Sequence, residues 1–148
     1  NELDPEYRSH RRKEEVNLGL NEEQALTEAK RCLDCAIPPC MEGCPVGINI
    51  PGFIKNIERG QFLAAAKVLK NTSALQPFVV VFVLKETVRE QVRTSQDERA
   101  SRSHRYLERF AADYERQSGN ISVPECDEAN GIKVAVVGSG PSGLSFAG

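Results

Sequence analysis

"RCLDCAIPPCMEGCPVG", residues 31–47, places Cys32, Cys35, Cys40 and Cys44 within fourteen positions and closes the run on Cys44-Pro45. Thiols at that density are rarely packing residues. Their spacing, C-x2-C-x4-C-x3-C-P, discriminates between metals. A structural zinc site usually draws on two short hooks separated by a longer span. Here all four thiols crowd one segment and a proline follows the last. That is the arrangement of the iron–sulfur run in which three cysteines hold one cluster and the last reaches across to another. Thiolate is also a soft, charged donor suited to iron. By this logic Cys32, Cys35 and Cys40 share one cluster and Cys44 belongs to a second. Zinc, and free or disulfide-bonded thiols, remain as alternatives.

The flanking sequence predicts helices around this loop. Asn21 is placed to cap a helix, with Glu22 and Glu23 in its first turn and Gln24 at the capping-box position. Ala25, Leu26, Ala29 and Leu33 give it an apolar stripe, and its C-terminal end delivers Cys32. Pro38 and Pro39 cannot continue it, so Cys35, Cys40 and Cys44 are expected on a tight loop whose amides can point toward sulfur. A second helix is expected from Pro51, with Phe53, Ile54 and Ile57 on one face and Gly60 as its stop. "QFLAAAKVLKN" reads as a third. Leu107, Phe110, Ala111 and Tyr114 fall at helical spacing, which predicts a helix over Tyr106–Gln117 that Gly119 ends.

The bulk properties restrict what surrounds this region. With 148 residues, 27% charged and 40% hydrophobic, most of the chain is expected to fold as one domain, or a small one plus a fragment. A formal charge of −2 gives no argument for nucleic acid or an anionic membrane surface. The polar start "NELDPEYRSHRRKEE" lacks the apolar stretch of a secretory signal. No apolar run approaches the ~20 residues of a membrane-spanning helix. Without an export signal, and with five cysteines in all, metal or redox chemistry in the cytoplasm is favoured over a disulfide framework.

Near its end the chain changes character. "NISVPECDEANG" is a polar linker, and Cys126 within it is expected to be a free thiol. Ile132–Val137 is an almost purely apolar run, as in a parallel strand buried on both faces. It leads directly into Gly138-Ser139-Gly140-Pro141-Ser142-Gly143, a GxGxxG pattern. Such glycines allow a tight turn, close approach of backbone to a pyrophosphate, and contact between the strand and a following helix. The pattern is weak alone and stronger after a strand, so these six residues are candidates for dinucleotide binding, with a mere Gly-rich turn as the alternative. The acidic residue expected ~20 positions further on, and the sheet that would hold the dinucleotide, are not among these residues. The unit is therefore expected to be a truncated first strand and turn that binds no nucleotide well by itself.

"EAKRCLDCAIPPCMEGCPVGINIPGFIKNIERGQFLAAAKVLKN" resembles the N-terminal iron–sulfur domain of the NADPH-dependent glutamate synthase small-subunit family. That domain is shared with dihydropyrimidine dehydrogenase and with the large subunit of the electron-bifurcating ferredoxin:NADP oxidoreductase. The resemblance covers residues 3–75 and resumes at "YLERFAADYERQSGNISVPE". It implies a mainly α fold: a small helical, alpha-helical ferredoxin-like domain over residues 1–118 and a linker over 119–131. The truncated first β-turn-α of a Rossmann-type FAD domain would follow over 132–148. It further implies two [4Fe-4S] clusters that exchange electrons with FAD, NADPH as reductant in the intact parent, and a redox partner like the glutamate synthase large subunit. The bifurcating oxidoreductase is the rival within this class, and a non-enzymatic zinc-binding module is the rival outside it.

The chain departs from the family over residues 76–105. Relatives carry there a segment C-G-R-V-C-P followed by C-E-x-x-C, whereas "QPFVVVFVLKETVREQVRTSQDERASRSHR" has no cysteine. Taken literally, "FVVVFVL" is a buried strand and the remainder a solvated helix or coil. A lone strand in a helical domain has no partner for its backbone, and composition changes abruptly at both ends. The genetic code supplies another explanation. With one permitted set of codons for Pro77–Lys85, reading from the last base of the first gives V-C-G-R-V-C-P-Q. With another for Val88–Arg105, reading from the second base gives C-E-S-K-C-V-H-P-K-M-N-E-R-P-V-A-I-G. A frame-shifted stretch is therefore expected, and the coding DNA tests it. The resemblance assigns to the missing thiols one ligand of the first cluster and two of the second. It also aligns Glu108 with a Gln or Glu ligand to that second cluster; the alternative for Glu108 is a solvent-facing helix residue.

Overall fold

The computed structural model describes residues 2–11, 13–72, 103–121 and 128–147. Among them it has seven helices, α1 (Pro5–Ser9), α2 (Glu22–Ala29), α3 (Pro39–Glu42), α4 (Ile50–Glu58), α5 (Phe62–Lys70), α6 (Ser103–Ser118) and α7 (Pro141–Ala147), and no strand. The helical domain expected around the thiols is thus formed. None of these helices is long and apolar enough to cross a membrane. The "FVVVFVL" stretch and Cys126 lie outside the described residues.

The core follows from helical periodicity. In α4, Ile50, Phe53, Ile54 and Ile57 recur at the i, i+3, i+4, i+7 positions of one face and are all buried. In α5 the same spacing buries Phe62, Ala65, Ala66 and Leu69. These stripes meet each other, and α6 adds Leu107, Phe110 and Ala111 to the same cluster. Ala25 and Ala29 of α2 are buried where α2 packs on α4 and α6; their small side chains allow that close approach. Phe62 meets Phe110 edge-on, ring centroids 5.1 Å apart, and Tyr114 at 4.8 Å, so the expected face of α6 is engaged as far as Tyr114.

Chain ends are fixed by the devices the sequence announces. The Asn21 side chain accepts from the Gln24 amide at 2.8 Å while the Asn21 amide donates to Gln24 Oε1 at 3.2 Å, a complete capping box. The second expected helix starts one residue earlier than Pro51, at Ile50, because Asn49 caps it by accepting from the Gly52 amide at 3.0 Å. Gly60, at φ +72°, supplies the left-handed residue just past its end. Lys70 of α5 and the buried Glu115 of α6 form a 2.8 Å ion pair across the core boundary. Breaking such a pair by removing one partner leaves a charge uncompensated. Arg109 holds the N-terminal segment against α6 by pairing with Glu15 at 2.6 Å and Asp113 at 3.2 Å.

Three expectations are corrected. Leu33 is 64% exposed and belongs to no stripe, because α2 ends at Ala29 and the chain turns through Lys30 before reaching it. The thiol segment is not wholly loop, since Pro39 opens the one-turn α3, which contains Cys40. Residues 132–139 form no strand; with no neighbouring strand among the described residues, backbone pairing has nothing to act on. Val137 accordingly stands 97% exposed.

Phe53→Ala is expected to destabilise the chain by about 3–5 kcal/mol, because the ring is fully buried where α4 meets its neighbours. Asn21→Ala should cost only about 1 kcal/mol. Urea unfolding followed by helical circular dichroism measures both.

Candidate metal centre

The thiols are carried by the exit from α2 and the entry to α3. After Ala29 two turns follow, with the Arg31 amide on the Glu28 carbonyl and the Cys32 amide on the Ala29 carbonyl, both 3.1 Å. These set Cys32 one short step beyond the helix. Asp34, between Cys32 and Cys35, sits at φ +50°. That left-handed conformation is uncommon outside glycine and most tolerated by Asn and Asp. Pro39 then sets the backbone for α3. Beyond α3 the Cys44 amide donates to the Met41 carbonyl at 3.2 Å and the Gly47 amide to the Cys44 carbonyl at 3.0 Å.

All four thiols are free and half-buried. Cys32, Cys40 and Cys44 lean on the apolar core, whereas Cys35 does not. Burial pushes the Cys40 thiol above its ordinary value, and the neighbouring Cys32 and, more weakly, Cys35 push it the same way. The amides of Cys40 and Met41 oppose this by favouring the thiolate. Cys32 and Cys35 thus stand close enough to Cys40 to act on it. Among the described residues no three Cys, His, Asp or Glu side chains are gathered tightly enough to hold a single metal ion.

A cluster spreads its ligands over several irons, whereas a single zinc needs its donors at one point. Cys32, Cys35 and Cys40 are soft donors of the kind an iron–sulfur cluster takes, carried on one segment. The full two-cluster ligand set does not fit, because residues 45–125 contain no cysteine.

Glu108 is half-buried on α6, which replaces the solvent-facing alternative. Burial raises its carboxyl to about 7, against a weaker opposing pull from Arg105. One turn earlier, burial pushes His104 below its ordinary value, and its Nδ1 is buried without a hydrogen-bond partner. His104 was not singled out from sequence; its place one turn before Glu108 on the same helix was the available signal. The Lys55–Glu58 pair of α4, 2.8 Å apart, was also missed. Asp34 and Cys32 both add to the field that keeps Lys55 charged, so this cation stands beside the thiol loop.

In the glycine segment, Gly138 adopts φ +108°. A Cβ at Gly143 would lie 2.3 Å from the Gly138 carbonyl oxygen, so no side chain fits there. Gly140 has open space where its Cβ would be. With Ser142, Phe146 and Ala135–Val137 these glycines line an open hollow of about 510 Å³. Ser139 lies within the same turn, and Pro141 opens α7.

The family described as dihydropyrimidine dehydrogenase domain II, 4Fe-4S cluster, matches residues 8–120. The chain belongs to this family. It is 30% identical over 133 residues, 90% of its length, to the glutamate synthase [NADPH] small chain of Escherichia coli (strain K12). It is 32% identical over 120 residues, 81% of its length, to the NAD-dependent dihydropyrimidine dehydrogenase subunit PreT of the same organism. It spans 28% and 29% of those two relatives, respectively. The chain is thus an iron–sulfur domain of the kind found in oxidoreductases related to these two.

Glu108 is neutral in the fold up to about pH 7 but ionises near 4.5 when unfolded. Its contribution is therefore complete below pH 4.5 and lost as pH rises through 7. In metal-free chain, Glu108→Gln is expected to gain roughly 2–3 kcal/mol on the parent between pH 4.5 and pH 8. Denaturant midpoints across that range measure it, and parallel pH profiles for the two proteins would contradict it.

Proposed function

We propose that this chain is the N-terminal part of an NAD(P)H-dependent iron–sulfur flavoprotein oxidoreductase, most like the glutamate synthase small subunit. Its helical domain would cover residues 1–118, a linker 119–131 and the start of an FAD domain 132–148. The observation that carries the reading is the shared neighbourhood of Cys32, Cys35 and Cys40 on a core-backed loop. It occurs in a chain that belongs to a 4Fe-4S family. Cys44 and Glu108 are the residues offered to a second cluster.

An iron–sulfur cluster accepts and releases single electrons at a potential set by its ligands, hydrogen bonds and exposure. The protein's contribution lies in those settings. Amides of Cys40 and Met41 stabilise negative charge at sulfur, and the core behind Cys32, Cys40 and Cys44 lowers the local dielectric. Lys55 adds a positive charge on one flank. Exposed Leu33 and Ile37 on the loop leave its outer side available to a redox partner, for which a protein like the glutamate synthase large subunit is the leading candidate.

The FAD part rests on the glycine turn. Gly138-Ser139-Gly140-Pro141-Ser142-Gly143 has the spacing that lets backbone approach a pyrophosphate, and the steric demand at Gly143 is the one a close strand–helix contact creates. The exposed apolar run Ile132–Val137 is what a strand presents when the rest of its sheet is not beside it. In this reading NADPH reduces FAD and the clusters pass electrons onward one at a time.

Prepared anaerobically, the chain is expected to be brown and to contain iron and acid-labile sulfide in equal amounts. Cys32→Ser, Cys35→Ser or Cys40→Ser should each remove most of both. Colourless protein containing zinc would contradict the reading. In the full-length protein, Gly143→Ala should remove bound flavin and leave iron unchanged, and retention of flavin would refute the assignment of the turn.

A further inference from the structure

The buried residues Leu107, Phe110 and Ala111 form one stripe along α6. His104 stands three residues before Leu107 and seven before Ala111, so helical spacing puts it on the same stripe. A polar residue thus occupies a position that asks for an apolar one. Its Nδ1 is buried without a hydrogen-bond partner, and a buried polar atom left in that state loses its hydration with nothing in return. Ligation does not account for the imidazole either. Among the described residues no three Cys, His, Asp or Glu side chains are gathered to hold a metal ion.

The genetic code supplies a reason. Histidine is encoded by CAT or CAC, and every codon for the following Arg105 begins with C or A. Read from its second base, like the rest of the stretch from Val88, position 104 becomes ATC or ATA, which is isoleucine, or ACC or ACA, which is threonine. No choice of codons returns histidine. Isoleucine continues the stripe without a polar atom. Threonine would put a hydroxyl where a ring nitrogen already lacks a partner.

We propose that His104 is the product of a displaced reading frame that returns to register before Tyr106, and that the native residue at this position is an isoleucine packed on the apolar stripe of α6. The point of return agrees with the sequence, since the family resemblance resumes at "YLERF". The inference rests on a fold position and the code, and not on the iron–sulfur reading. It bears on that reading all the same, because the frame that gives isoleucine here gives, with the codons described above, thiols at positions 88 and 92.

Two measurements test it. The coding DNA is expected to carry CAT at position 104. Metal-free chain and its His104→Ile and His104→Gln variants are unfolded in urea at pH 8, where an imidazole in water is also neutral. His104→Ile should move the midpoint upward, by an amount equivalent to a folding constant raised roughly 5- to 150-fold, as expected when a buried unsatisfied group is removed. His104→Gln keeps a polar side chain and should show no such gain.

A CAC codon would overturn the proposal, because the displaced frame would then give threonine. So would a His104→Ile chain that unfolds at or below the midpoint of the parent, or a His104→Gln chain that gains as much. None of these outcomes involves the thiol segment, so the iron–sulfur reading stands or falls separately.

Discussion

The contact between α2 and α4 is the constraint on which the thiol loop depends. Ala25 and Ala29 present almost no side chain, so α2 can lie close against the helix carrying Phe53, Ile54 and Ile57. That closeness fixes where the end of α2 lies, and hence where the segment carrying Cys32 starts. It also places Lys55 of α4 beside Asp34 and Cys32. A larger residue at Ala29 would push the helices apart and move the first thiol with them. Overpacking of that kind typically costs ~1–3 kcal/mol, and here it would fall on the geometry of the site as well as on stability.

The loop reconciles two opposed demands. Thiolates need polar, hydrogen-bonding surroundings, whereas redox centres gain from a low dielectric that amplifies nearby charges. The segment meets the first with amides of its own backbone around Cys40 and the second with the core behind Cys32, Cys40 and Cys44. Without a bound cation, burial and then the neighbouring Cys32 and Cys35 disfavour ionisation of Cys40. Iron would reverse that balance, because its positive charge favours the thiolate it binds.

Much of this was legible in the amino-acid sequence, for identifiable reasons. The capping box at Asn21, the apolar face of Phe53, Ile54 and Ile57 in α4, the helical character of the segment that forms α5 and the stop at Gly60 are local signals, and each formed as read. Leu33 misled because helical spacing alone does not report where a helix ends. Cys40 in α3 was missed because Pro39, read as a breaker, is also a good first helical residue. The strand expected at Ile132–Val137 did not form, because strand formation depends on partners elsewhere, which local sequence does not contain. Burial of Glu108 and His104 was invisible for the same reason, since it is set by what packs over α6. The three-plus-one division of the thiols is a reading of their spacing alone.

Family membership supports iron, and the loop's donors suit it, so the central claim concerns which metal these thiols grip. X-ray absorption on anaerobically purified chain, recorded at the iron and zinc edges, addresses that most directly. The account expects an iron edge with a shell of sulfur neighbours and clear iron–iron scattering, which only a multi-iron core produces. A zinc edge with four sulfur neighbours and no metal–metal scattering would contradict it.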